Sequence, residues 1–96
     1  MGILLGAEIL LDEALKSRNI NKIREICNRI GELLPGLHEV YAHNHPERHR
    51  YFTDLMFNLG VIMGSASKGD YKTAIAHFKK FIAYEQEISK IILNKA

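Results

Sequence analysis

The chain contains few of the residues that usually build reactive or cross-linked sites. Its 96 residues include one cysteine, two prolines and no tryptophan. With Cys27 alone, no disulfide can form within the chain, and a single thiol suits a reducing compartment. The apolar start, MGILLGAEILLDEALK, has no basic segment and is interrupted by Glu8. We therefore expect no signal peptide, no membrane span and a cytoplasmic location.

A strong excess of charge is also missing. The formal net charge is +2 and the sequence pI is about 8.8, which is too weak a bias to indicate nucleic-acid binding by itself. Hydrophobic residues make up 47% and charged residues 25% of the chain, as in ordinary globular proteins. The length predicts a single domain over residues 1–96.

Apolar residues recur at helical spacing almost throughout, without the alternation that is typical of strands. The breaks RNIN, PG, NHPE and SKGD separate four predicted helices. Asn19 and Asp70 are suited to cap the second and fourth helices, while Pro46 suits the first position of the third, after Asn44 or His45 as its cap. The predicted helices cover about 3–17, 20–34, 46–66 and 71–94.

The two halves of the chain resemble each other. A shift of fifty-one positions places KSRNINKIREICNRI over SKGDYKTAIAHFKKF, with Ile23 over Ala74 and Cys27 over Phe78. Because a single helical hairpin cannot bury its apolar stripe alone, two hairpins should pack together. We predict an all-α fold, a compact four-helix bundle built from two helical hairpins. Hairpin 1 covers about 3–34, a junction covers 35–45, and hairpin 2 covers about 46–95.

One segment resembles a known repeat family. NLG at 58–60 and KGDYKTAIAHFKKFI at 68–82 are similar to a single tetratricopeptide repeat, whose Leu-Gly, Gly-Asp-Tyr turn, Ala and Phe match here. The spacing between the two glycines is two positions longer than in that family, and its closing proline is absent. The resemblance implies a helical hairpin that binds other proteins. The matching residues are Gly60, Gly69, Asp70, Tyr71, Ala74 and Phe78.

The third helix is apolar on more than one side. Phe57 and Val61 lie off its main stripe, and Gly60 and Gly64 form a small-xxx-small pair that allows close approach of another backbone. The alternative interpretation is a wide apolar stripe on a central helix with incidental glycines. We expect a homodimer through this side, because uncovered apolar surface usually marks an interface.

The end of the fourth helix extends the expected interface. At about 1.5 Å per residue, helix 4 would be roughly 36 Å long and helix 2 nearer 22 Å, so the end of helix 4 should overhang the bundle. Ile91, Ile92 or Leu93 would then be uncovered in a monomer.

Glu85 occupies an inward position of the fourth helix. An inward carboxylate is costly unless it is paired. We expect it near the rim of the bundle, or beside an Arg or His of a neighbouring helix. A functional buried acid is the alternative, although no second acid is placed to form a catalytic pair with it.

The segment AHNHPERHR, residues 42–50, allows three interpretations. As a helix start it needs no ligand. As a metal site it offers His43, His45 and His49, of which the last two are four residues apart on one helix, and Glu39 or His38 could complete the set. As a nucleic-acid site it offers basic side chains near a helix N-terminus, together with lysines of the fourth helix. The nucleic-acid candidates are Arg48, His49, Arg50, Lys79 and Lys80.

No set of residues typical of an enzyme is visible. Cys27 lies on an apolar helix face, and the sequence has no glycine-rich phosphate loop and no Ser-His-Asp set. We expect no catalysis and no cofactor. The function that the sequence favours is a small cytosolic helical interaction module that self-associates and binds a protein partner. The alternative is an accessory nucleic-acid-binding or metal-binding protein that uses residues 43–50.

Overall fold

The computed structural model describes residues 4–93, and these form four α-helices. The predicted helix limits at 3, 94 and 95 lie outside the described residues. The all-α prediction and the predicted four-helix bundle are confirmed, with overall dimensions of 40 × 21 × 19 Å. The helices are α1 Leu5–Lys16, α2 Ile20–Ala42, α3 Pro46–Ser67 and α4 Tyr71–Leu93.

Helix α3 is the central element. It packs most extensively against α4 and next against α2, whereas α1 packs mainly on α2 and only lightly on α4. The core comes from all four helices, and fully buried side chains include Leu11, Ile30, Leu55 and Phe81. Burying such apolar side chains provides most of the favourable free energy of folding. Helical spacing also predicts that Leu10, Leu33 and Met56 face inward, but these three side chains are about half exposed.

Helix α2 does not end at Pro35, so the predicted end near 34 is wrong. The helix continues through Pro35 and Gly36 to Ala42 and reduces the junction to residues 43–45. Leu34 and Ala42 are buried on both sides of the proline, and this packing offsets its unfavourable place in a helix interior. Because α2 and α4 each have 23 residues, the unequal lengths from which we predicted an overhang do not exist.

The turns of the two hairpins are built alike. Arg18 and Gly69, fifty-one positions apart, are the residues with positive φ among the described ones, at 53° and 80°. Each is followed by an N-cap: Asn19 accepts from the Lys22 amide and Asp70 from the Thr73 amide.

The backbone hydrogen bonds of the turns also correspond. Arg18 and Asn19 donate to Leu15 and Ala14, as Gly69 and Asp70 donate to Ala66 and Ser65. This pattern closes a helix with a left-handed residue after it. The sequence echo is therefore a repeat of turn geometry as well as of apolar spacing.

The start of α3 is only partly as predicted. Pro46 is the first helical residue, as predicted, and His45 precedes it. His45 makes no side-chain hydrogen bond to the helix, and its Nδ1 instead lies 3.4 Å from the Glu47 carboxylate.

Candidate functional site

The outward side of α3 carries no charge over most of its length. No charged residue lies between Asp54 and Lys68, although helix surfaces that face water are normally rich in charge. Phe57 is 64% exposed, which is unusual for a phenylalanine. We call this surface the α3 face; it consists of Met56, Phe57, Gly60, Val61 and Gly64.

The two glycines leave the backbone of the α3 face accessible. A Cβ placed on Gly60 or on Gly64 would meet no atom within 4 Å. Glycine is therefore not needed there for packing within this chain. A second helix can approach such a backbone more closely than it can approach one with side chains, which increases dispersion contacts.

A groove between α2 and α3 borders the α3 face. Its first cavity, about 380 Å³, is lined by Cys27, Gly31, Leu59 and Gly60, among others. Burial raises the pKa of the Cys27 thiol to about 11, so Cys27 remains protonated and unreactive at neutral pH. A second cavity of about 300 Å³ continues the groove towards the junction, and Met56 lines both.

Two predicted interface residues lie apart from the α3 face. The Nδ1 atom of His77 is 2.8 Å from Oδ1 of Asn58, which fixes the register of antiparallel α3 and α4. Leu93 follows His77 by 16 residues, roughly 24 Å along the helix. Ile91 is half-buried and Leu93 exposed, near the junction end of the bundle. The structure therefore does not bring them together with Gly60 and Gly64.

Arg48 is not available to a phosphate, contrary to its predicted place in a nucleic-acid site. Only 6% of it is exposed, and its Nη1 donates to the Tyr41 carbonyl at 2.8 Å. The long side chain thus fastens the start of α3 to the end of α2. His49 and Arg50 remain exposed beside it.

The basic residues on and before α4 do not all lie near the junction. Lys79 and Lys80 are exposed in the middle of α4. Lys68 follows the last residue of α3, whose 22 residues span roughly 33 Å from the junction. Asp70, next to that end, uses its carboxylate as a helix cap, and the Thr73 side chain, with the Thr73 amide, lowers the pKa of that carboxyl.

The predicted metal ligands are divided among different partners. His43 lies 3.3 Å from Glu39, and His45 lies 3.4 Å from Glu47. His49 instead meets His38 of α2, with 2.8 Å between Nδ1 and Nε2. Within residues 4–93, no group of three or more His, Cys, Asp or Glu side chains could hold a metal ion. His38 was expected only as a possible completion of the set, because its proximity to His49 depends on α2 continuing past Pro35.

Glu85 is fully buried, not at the rim, and its neighbour is an acid. Its neighbour on α1 is Glu8, where we expected an Arg or His of a neighbouring helix. Glu85 Oε1 also accepts from the Leu4 amide at 3.1 Å and from the Ser89 hydroxyl at 2.9 Å. Burial raises the pKa of Glu8 to about 8, and the neighbouring carboxyl of Glu85 acts in the same direction.

We call Glu8 and Glu85 the acid pair, and Glu8 lines a third cavity. This opening between α1 and α4, about 320 Å³, is lined by Glu8, Asp12 and Glu13 and by apolar residues including Ile9 and Phe78. Glu85 is enclosed, and its Oε1 is occupied by the two donors just described. The pair therefore connects α1 to α4 and does not present two free carboxylates to a substrate.

Compared with known protein families, with characterised proteins and with solved structures, the chain matches none of them. The resemblance to a tetratricopeptide repeat thus stays a prediction. At the positions that resemble the repeat, the structure has a left-handed Gly69, a capping Asp70 and the buried residues Ala74 and Phe78. Among the described helices, none is both long enough and apolar enough to cross a membrane.

Proposed function

We propose that this protein is a small cytoplasmic interaction module that forms a homodimer through the α3 face. The observation that carries the proposal is the exposed, uncharged strip between Asp54 and Lys68, with Phe57 projecting from it. Removing Phe57 from water contributes about 1.5 to 3 kcal/mol per protomer, and an exposed patch of this kind is characteristic of an interface. The single cysteine agrees with a reducing cytoplasm.

A second copy of the chain suits the α3 face, because the charged residues at its two ends have opposite signs and can pair between the two copies. Asp54 and Lys68 lie seven positions before and after Val61. A two-fold axis beside Val61 would make two α3 helices antiparallel and bring Asp54 of each copy to the level of Lys68 of the other. Isologous dimers use the same patch twice in this manner. A different protein partner that uses the α3 face would compete with the second copy.

Amide chemical shifts followed on dilution test the proposal. The backbone amides of Gly60 and Gly64 should shift with protein concentration, because they lie at the centre of the proposed contact. Val40, which is 72% exposed on α2, serves as the reference and should not shift. Equal shifts at Val40 and at the two glycines would indicate unspecific association and contradict the proposal.

A pair of matched variants separates association from folding. Phe57→Glu should abolish the concentration dependence and leave the helical circular dichroism unchanged, because Phe57 is exposed. Val40→Glu adds the same charge to another exposed apolar position and should retain the association. Global unfolding of the Phe57 variant would instead identify Phe57 as a residue of the core.

A further inference from the structure

We infer that His38 and His49 form a binding site for a divalent transition metal across the α2–α3 seam. Their facing nitrogens are 2.8 Å apart, and the rings meet edge to face with centroids 4.3 Å apart. Neutral imidazole nitrogen is a preferred ligand of Zn²⁺, Ni²⁺ and Cu²⁺. This site does not depend on the proposed dimer.

The separation of the two nitrogens is close to what a shared metal needs. Two ligands of a tetrahedral zinc ion, each about 2.0–2.1 Å from it, lie roughly 3.3 Å apart. An outward movement of about half an ångström, small for partly exposed side chains, makes room for the ion. The ring that now donates must move its proton to its other nitrogen, so that both lone pairs point to the metal.

Neighbouring side chains restrict the orientation of His38, one of the two ligands. The His38 ring packs edge-on against Phe52, with centroids 5.6 Å apart, and His38 lines the 300 Å³ cavity with Leu34 and Met56. A ligand whose orientation is restricted before binding loses less entropy when the metal arrives. Open zinc sites have three protein ligands and one water; here two histidines bind the metal and water fills the remaining positions.

The expected consequence is a link between two helices. His38 belongs to α2 and His49 to α3, on either side of the junction at residues 43–45. A metal bound by both favours the folded arrangement, because the unfolded chain does not hold the two rings together. His43 and His45 have separate acidic neighbours in Glu39 and Glu47, and we assign them no part in the site.

Thermal melting with and without Zn²⁺ tests the inference. In the unchanged protein, excess Zn²⁺ should raise Tm by several degrees, and EDTA should reverse the rise. His38→Ala and His49→Ala should each abolish the rise, whereas His43→Ala and His45→Ala should retain it. Each variant is compared with itself in the absence of metal, so its own stability does not affect the result.

Two results would overturn the inference. One is the absence of any Zn²⁺-dependent rise in the unchanged protein. The other is a rise that persists in His38→Ala, which would assign binding to His45 and His49 on one helix or to scattered surface groups. Nickel serves as a second probe, because it also prefers imidazole, and should reproduce the dependence on His38.

Discussion

Glu8 of α1 and Glu85 of α4, 77 positions apart in the sequence, are both buried, and the carboxyl of Glu85 raises the pKa of Glu8. Burial, with the nearby Glu85 carboxyl, raises the pKa of Glu8 to about 8, so Glu8 carries a proton at neutral pH. Glu85 also accepts the amide of Leu4, at the start of α1. The acid pair therefore connects α4 to α1, which otherwise packs on α4 only lightly, and this connection depends on a proton.

The acid pair predicts a pH-dependent stability. The pKa of Glu8 is raised from 4.5 to about 8, so between these values the folded chain binds a proton that the unfolded chain releases. Stability from this group is complete below about pH 4.5 and is lost as the pH rises through 8. The free energy of unfolding should fall in that window by at most about 1.4 kcal/mol per pH unit.

Glu8→Gln should remove most of that slope. The amide of glutamine can still donate to Glu85, and it does not titrate between pH 5 and 8. Urea unfolding at several pH values measures the effect, with Asp12→Asn as the control, because Asp12 is a partly exposed acid of the same helix paired with Lys16. An unchanged slope in the Glu8 variant would contradict the shared proton.

Replacement by alanine should have opposite effects at two glycines, one in a turn and one inside a helix. Gly69→Ala should destabilise the protein by about 1 kcal/mol, because a side chain is unfavourable at φ 80°. Gly36→Ala should stabilise it by about 0.5–1 kcal/mol, because Gly36 lies inside α2. Neither new Cβ would meet an atom within 4 Å, so backbone conformation alone separates the two. Equal effects in urea unfolding would contradict this explanation.

Arg18, the counterpart of Gly69, offers a second comparison. Arg18→Gly should be more stable than Arg18→Ala by about 1 kcal/mol, since both lose the contact of the guanidinium with the Tyr71 ring and glycine alone relieves the left-handed strain. Stability measured in the same buffer checks the difference. An alanine variant that matched the glycine variant would mean that φ 53° costs nothing here.

Arg48 should behave as a structural residue. Arg48→Ala leaves the Tyr41 carbonyl without its donor and should cost about 1–3 kcal/mol. Arg50→Ala, at an exposed position two residues later, should change stability by less than about 0.5 kcal/mol. Urea unfolding compares them. A test of nucleic-acid binding should therefore replace Arg50, Lys79 and Lys80 and keep Arg48. Replacing Arg48 would weaken folding, and the loss of folded protein would be mistaken for weaker binding.

Local features of the sequence were sufficient to predict much of the fold. The helical period of the apolar residues, the caps Asn19 and Asp70, and Pro46 at the start of α3 depend on neighbouring residues alone. Pro35 was misjudged because a lone proline normally ends a helix. Here buried residues on both sides keep α2 continuous, which is a tertiary effect.

The candidate sites were harder to predict, because they depend on distant pairs. Helical spacing indicated that Glu85 faces inward, but it could not identify Glu8 as its partner across the bundle. His38 and His49 meet only because α2 runs on to Ala42. Phe57, Gly60 and Gly64 of α3, by contrast, were identified from the spacing of residues within one helix.

The mass of the unchanged protein in solution tests the central claim, dimerisation through the α3 face, most directly. Sedimentation equilibrium from low to tens of micromolar protein should give a mass that rises with concentration towards twice the 11.0 kDa of one chain. A mass of 11.0 kDa at every concentration would contradict the proposed homodimer.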